Sequence, residues 1–297
     1  MLAAVYGLTG ALIYGAADFL GGLAARRIRA ILVTAVAAIS GLVALLVAFP
    51  IIGGAWSAEA VMWGALSGVS GAIAISLLYA CLAVGPMSIL SPLTAVVSAV
   101  VPATVGLLGG DRLAQIGYWG LGLALVAVVL VGFVPERGAV RPSLTGVTMA
   151  VGSGVMIGTF IILMDLTPTD SGLVPLIMNR TVNGGIMLTA TGIVALAAWR
   201  KRRVERVAAL PRSAAGAANL RMGLALATAC GLVDVIANFL LLLGIRAGDL
   251  SVISVLTAMY PTGTILLAAV VLGERIAPVQ WVGLALALAS AGMLSVA

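Results

Sequence analysis

The chain has 297 residues, of which 62% are hydrophobic and 9% charged, with a mean hydropathy of +1.23. So little polar surface cannot clothe a water-soluble globule, and most of the chain is read as dissolved in lipid. There is no histidine and a single lysine, Lys201, in no glycine-rich loop, which excludes His-based metal sites and triads and a phosphate-loop lysine. No G-x-S-x-G is present either, so no enzyme, cofactor or metal is expected. The net charge of +6 comes from arginines at the edges of apolar runs. That is the pattern of a positive-inside membrane protein, and no nucleic-acid partner is expected.

Crossing a hydrocarbon core of about 30 Å takes around 20 helical residues. Apolar runs of that length fall roughly at 2–24, 30–52, 59–83, 86–109, 114–134, 144–165, 171–198, 221–245, 249–272 and 277–296. Unpaired backbone groups are too costly in lipid for anything but helices or closed barrels, and runs this continuous are helices. The breaks are short, apart from a long basic stretch between spans seven and eight, and no soluble domain fits anywhere. The N-terminus lacks a basic start and a cleavage site, so it is read as the first span, not a removable signal. Cys81 and Cys230 lie inside apolar runs and are expected to stay buried thiols.

The chain repeats itself. Residues 85–125 and 248–288 align without a gap at an offset of 163, with 14 of 41 positions identical. Gly85/Gly248, Ser88/Ser251, Ser91/Ser254, Thr94/Thr257, Gly110/Gly273, Arg112/Arg275 and Gly120/Gly283 pair, and Asp111 stands opposite Glu274. Gly68/Gly231 and Ala74/Ala237 extend the match through span three. Each unit then holds five spans, an odd number, so the second must enter the membrane upside down. The expected fold is an all-α membrane protein of ten transmembrane helices, in two inverted five-helix repeats (1–143 and 144–297). Inverted repeats are common in secondary transporters; an inert scaffold is the plainer alternative.

Loops 1–2, 5–6, 7–8 and 9–10 carry Arg26, Arg27, Arg29, Arg137, Arg141, Arg200, Lys201, Arg202, Arg203, Arg206, Arg212, Arg221 and Arg275. The opposite loops hold only Arg112 and Arg246. These charges place the odd-numbered loops in the cytoplasm and both termini outside, in a multi-pass inner-membrane protein. Trp56, Trp63, Trp119, Trp199 and Trp281 near span ends read as interface anchors.

Three charges lie well inside spans: Asp18, Arg180 and Asp234. Such residues are costly in lipid and mark a pair or a pathway. At about 1.5 Å per residue, Arg180 and Asp234 sit about 14 and 16 Å from the same face, so an ion pair is open to them. Asn179 and Asn183 accompany Arg180, and Asn238 lies one turn beyond Asp234. The cluster either pins helix seven to helix eight or lines a cavity for a zwitterionic or charged substrate. Asp18, nearer the cytoplasmic edge, is expected to bond to nearby arginines. Asp18 and Asp234 are the buried carboxylates available for proton coupling. Pro86, Pro92 and Pro102 in span four and Pro261 in span nine are predicted hinges. Beside them Ser91, Thr94, Ser254 and Thr257 either bond a substrate or recapture freed carbonyls. Tyr14, Tyr79 and Tyr260 are candidate cavity walls. Gly7, Gly10, Gly15, Gly152, Gly154 and Gly158 permit close helix contacts.

The segment with Ser251, Ser254, Leu256, Tyr260 and Pro261, then Leu272 to Arg275 and Gln280 to Leu286, resembles the closing half of the EamA module of the drug/metabolite transporter superfamily. The first copy keeps Gly110, Asp111 and Arg112 but has Ser98 opposite Pro261, and Arg180 resembles an arginine common in that module. The resemblance implies ten helices around a central cavity and export of small metabolites, often amino acids, with aromatic amino acid exporters the nearest likeness. Many members are thought to keep both termini in the cytoplasm; the charges here argue the reverse and are followed. The expected function is export of amino acids or similar metabolites by alternating access, with the bilayer as surroundings and a monomer sufficient. A multidrug or quaternary-cation exporter is the alternative and would need an unpaired acid in the cavity. A channel would need a continuous polar lining that no span supplies.

Overall fold

The computed structural model describes residues 2–84, 87–132, 143–205, 214–273 and 275–296. The chain forms helices α1 (Leu2–Ala25), α2 (Ala30–Ile52), α3 (Ala58–Val84), α4 (Met87–Gly109), α5 (Gln115–Gly132) and α6 (Leu144–Asp165). Then follow α7 (Val174–Glu205), α8 (Ala214–Ala247), α9 (Leu250–Thr257), α10 (Tyr260–Leu272) and α11 (Pro278–Ser295). Among the described residues there is no strand. Among the described residues nine helical segments are long and apolar enough to cross a membrane, α9 and α10 counting as one; α7 covers the remaining run of the sequence reading. The all-helical membrane fold expected from the apolar runs is the fold observed, with nine of the ten expected spans meeting the length and hydropathy of a crossing helix among the described residues. Pro86, Arg137, Arg141, Arg206, Arg212 and Glu274 lie outside the described residues, as do the side chains of Tyr79, Trp199, Arg200, Lys201, Arg202 and Arg203.

Apolar residues all round each helix leave no polar face to satisfy in water, and the helix pairs its own backbone, so these runs fold as spans. Local signals end them. Gly53 (φ 73°) closes α2 and Gly273 (φ 67°) closes α10 in the left-handed region that glycine tolerates. Ser143 caps α6, its Oγ accepting the Gly146 N–H at 3.0 Å. Pro278 opens α11, where its missing N–H costs nothing.

The two proline-bearing spans differ in continuity. Span nine is interrupted: Ala258 and Met259 form a turn, and Pro261 lies in the first turn of α10. Helix α4 instead runs unbroken through Pro92 and Pro102. Its neighbours hold it, because a Cβ at Gly132 of α5 would meet the Pro92 ring at 2.9 Å and one at Gly158 of α6 would meet that of Pro102 at 2.9 Å. The Thr94 hydroxyl adds bonds to the carbonyls of Leu90 (3.0 Å) and Ala150 of α6 (3.2 Å).

Helix α1 lies along α8, and α3 along α6; α4 packs on α6, while α1 packs on α9 and α10. Helix α3 meets α7, α2 meets α8, and α5 pairs with α11. The loops segregate to two faces. Ala55 donates its N–H to the Asp170 carbonyl (3.0 Å), and Leu173 to that of Gly53 (3.1 Å). Asp111 Oδ2 accepts the Ser251 N–H (2.9 Å). The loops after α2, α4, α6 and α8 therefore share one face. Arg27, in the loop after α1, reaches Asn219 at the start of α8 (3.2 Å) on the other, basic face.

Candidate functional site

Five helices, α1, α3, α6, α7 and α8, enclose a pocket of about 150 Å³. Its polar wall is Asn179, Arg180 and Asn183 from α7 with Asp234 and Asn238 from α8; its apolar wall is Gly71, Ala74, Ile75, Ile157 and Phe160, with Tyr14 from α1. Arg180 and Asp234 form an ion pair, with 14% and 25% of their side chains exposed. Asn238 donates to Asp234 Oδ2 (3.0 Å) and to the Asp234 backbone carbonyl (2.8 Å), so one helix turn supplies both the carboxylate and its second donor. Asn179 Nδ2 donates to Ser67 Oγ (2.9 Å), which itself donates to the Gly64 carbonyl (2.6 Å). That relay fixes the amide of Asn179 from α3. A low-dielectric wall strengthens such bonds and makes an unpaired member costly.

Six residues singled out in the sequence meet here: Tyr14, Asn179, Arg180, Asn183, Asp234 and Asn238. The others do not. Thr94 is committed to two carbonyls, neither of them freed by a proline, and so bolts α4 to α6. Ser254 donates to the Ser251 carbonyl (3.0 Å), and Thr257 is buried with its hydroxyl unpartnered. Ser91 is half-buried in α4, outside the pocket lining. Tyr260 packs against the apolar core between α1, α4, α5, α9 and α11. Phe160, Ile157 and Ser67 were not anticipated. Nothing marks Phe160 or Ile157 in an apolar run until α6 is seen to turn that face to the pocket.

Asp18 departs from expectation twice. It makes no ion pair among the described residues, and it is exposed rather than buried. It shares a helix face with Gly7, Ala11 and Tyr14, which are buried or half-buried, while Val5 and Leu12 are exposed on the opposite face of α1. Its exposure is therefore to the bundle interior, within electrostatic reach of Tyr14, Cys230 and Tyr260.

The pocket is sealed at its other end. A continuous buried cluster that includes Leu45, Ile161, Met164, Leu173, Ile177, Leu242, Ile245 and Ile253 fills the bundle towards the face opposite the basic loops. Above it Arg246 donates to Ser171 Oγ (2.9 Å) and to the carbonyls of Pro168 and Gly172 (3.4 Å each), and so ties the end of α8 to the loop after α6. Towards the basic face the described buried residues of α1, α2, α3, α4, α6 and α8 form two small groups, Ala24–Val33–Ala227 and Cys81–Leu90–Ala150. Asp249, on the sealed face, is held above the usual carboxylate range by partial desolvation and then by the neighbouring Asp111 carboxylate.

The model of the EamA-like transporter family matches residues 144–296, beginning where α6 begins. No curated protein matches the chain. Among solved structures, one crystal structure of a protein is 16% identical, covers 99% of this chain and 98% of its own, and superposes with a TM-score of 0.67, which shows a shared fold. The family match spans more than half of the chain: it belongs to the EamA-like transporter family of the drug/metabolite transporter superfamily.

Proposed function

We propose that this transporter is a secondary carrier that exports small metabolites, foremost amino acids with aromatic or other apolar side chains, by alternating access from the inner membrane. The observation that carries the reading is the pocket's division into a charged, amide-lined wall and an apolar one. Arg180 and Asp234 offer a carboxylate and an ammonium group their counter-charges, Asn179, Asn183 and Asn238 add hydrogen bonds, and Ile75, Ile157 and Phe160 receive the side chain. A cavity of about 150 Å³ holds one benzene-sized group, well below the roughly 300 Å³ at which drug-sized pockets begin. This favours a metabolite over a bulky drug.

The helix packing supports two inverted units divided near residue 143. Shifting every span by five turns the contact of α1 with α8 into that of α6 with α3, and the contact of α3 with α7 into that of α8 with α2. The pocket draws on both units, as substrate sites of inverted-repeat carriers do. The basic face is cytoplasmic in this reading, so the interior open at Asp18 faces the cytoplasm and the sealed face lies outside. Asp18 and Asp234 are the carboxylates through which proton coupling would run. A cation exporter is the second reading. A lone cation on Asp234 would leave Arg180 uncompensated, whereas a zwitterion meets both charges. Asp18, with no ion pair among the described residues, keeps the cation reading in play.

Counterflow in proteoliposomes loaded with single amino acids or quaternary cations tests this. We expect saturable exchange of an aromatic or branched amino acid, lowered at least tenfold by Arg180→Ala and Asp234→Ala while detergent-solubilised protein stays monodisperse. Exchange of cations alone, lost in Asp18→Asn, would replace the amino acid reading. No exchange of any loaded solute would remove the carrier mechanism.

A further inference from the structure

Helix α9 is held by a residue from the other half of the chain. Its own cap position is Asp249, with extended backbone (φ −68°, ψ 136°), yet the Asp249 side chain caps nothing. An aspartate there ordinarily accepts the N–H two or three residues on. Instead the N–H of Ser251 goes to Asp111 Oδ2, which arrives from the loop after α4. That loop is set by the Asp111 N–H to Gly106 carbonyl bond (3.0 Å), and Gly106 makes the approach possible, since a Cβ there would lie against Asp111 Oδ2 and 2.8 Å from the Ser251 nitrogen.

The helix so held is built to move. All eight residues of α9 are buried, in the seal above the pocket and against α4 and α1. At its far end the ladder is broken by the Ala258–Met259 turn, where Met259 bonds back to Leu256 and, across Pro261, Thr262 bonds back to Met259, each three residues away. Two buried hydroxyls near its ends, Ser251 Oγ and Thr257 Oγ1, have no partner in this arrangement. In the aligned repeat Thr94, equivalent to Thr257, is satisfied by the Leu90 and Ala150 carbonyls. Buried orphaned donors disfavour the state that contains them.

We propose that α9 is the gate on the face opposite the basic loops, and that it opens by exchanging caps: Asp111 lets go of the Ser251 N–H and Asp249 takes it. The exchange leaves the Ser251 N–H satisfied in both states, so no buried donor is orphaned when the gate opens. The bond from Asp111 exists only when the two halves are together at this face; the bond from Asp249 is local and survives their separation. Asp111 and Asp249 are thus positioning residues outside the substrate pocket, acting in opposite directions. This rests on the carrier reading above.

The test uses the full chain in liposomes, with Cys81→Ala and Cys230→Ala, and Ile253→Cys as reporter. Ile253 is fully buried within α9, so its cysteine reacts with a membrane-impermeant thiol reagent only when the gate opens. Asp111→Ala should raise the labelling rate about tenfold, the scale set by one helix cap. Asp249→Ala should lower it below the parent value, and Asp111→Glu should restore slow labelling. Equal labelling in all variants, or shifts of the same sign for both alanines, overturns the gate, and thermal unfolding separates this from loss of fold. Counterflow by the reporter chain keeps the two readings apart. Amino acid exchange without the opposed labelling shifts sinks the gate alone; opposed shifts without exchange sink the carrier reading and leave the two-state gate standing.

Discussion

At the scale of single residues, the Arg180–Asp234 pair places two charges deep in an apolar bundle. Both groups are largely removed from water, and Asp234 gains a second donor from Asn238. Removing one partner leaves the other charge uncompensated, which costs about 3 kcal/mol or more; removing both leaves a neutral pocket. Arg180→Ala and Asp234→Ala should each lower the unfolding midpoint in detergent, and the Arg180→Ala/Asp234→Ala double variant should be more stable than either. A double variant less stable than both would show that the two residues are held by separate partners. The relay from Asn179 through Ser67 to the Gly64 carbonyl is a neutral network, so Ser67→Ala should cost less, about 1 kcal/mol.

At the scale of elements, glycine sets how closely α1 meets α10. A Cβ at Gly15 would lie 2.5 Å from the Tyr260 carbonyl oxygen and 2.6 Å from the Gly263 Cα, and the Thr264 hydroxyl donates to the Gly15 carbonyl at 3.1 Å. Backbone cannot give way as a flexible side chain can. Gly15→Ala should therefore destabilise the protein by about 1–3 kcal/mol, whereas Gly22→Ala, with nothing within 4 Å, should be near neutral. Thermal unfolding of the two variants measures the difference. The close approach matters beyond stability, because it seats Tyr260 and the start of α10 against α1 just past the turn on which α9 ends.

At the scale of the whole molecule, the two faces differ in charge and in closure. Arg26, Arg27, Arg29 and Arg275 lie on one face; on the other, the loops after α2, α4, α6 and α8 interlock through Gly53–Leu173, Ala55–Asp170 and Asp111–Ser251. If the basic face is cytoplasmic, a cysteine replacing exposed Arg29 should be protected from an impermeant reagent in intact cells, while one replacing exposed Arg112 should react. The reverse labelling would place both termini in the cytoplasm, as the family habit has it, and would turn the direction of the proposed export with it.

By itself the sequence determined the solvent, the number of spans, the family and the ion pair. Hydrophobicity is summed along the chain, so ten runs of sufficient length fix ten helices without knowledge of any contact. A charge inside such a run needs a partner, and depth alone brings Arg180 level with Asp234. What the tertiary structure decided depends on neighbours that no local pattern encodes. Pro92 and Pro102 stay within a continuous α4 because α5 and α6 pack on them, while Pro261 follows a break. Asp18 has no ion-pair partner among the described residues, because its helix face turns to the bundle interior. Thr94 finds a carbonyl on α6, and its repeat-mate Thr257 finds none. Two copies of one sequence pattern meet different surroundings, and packing, being a property of surroundings, makes them unequal.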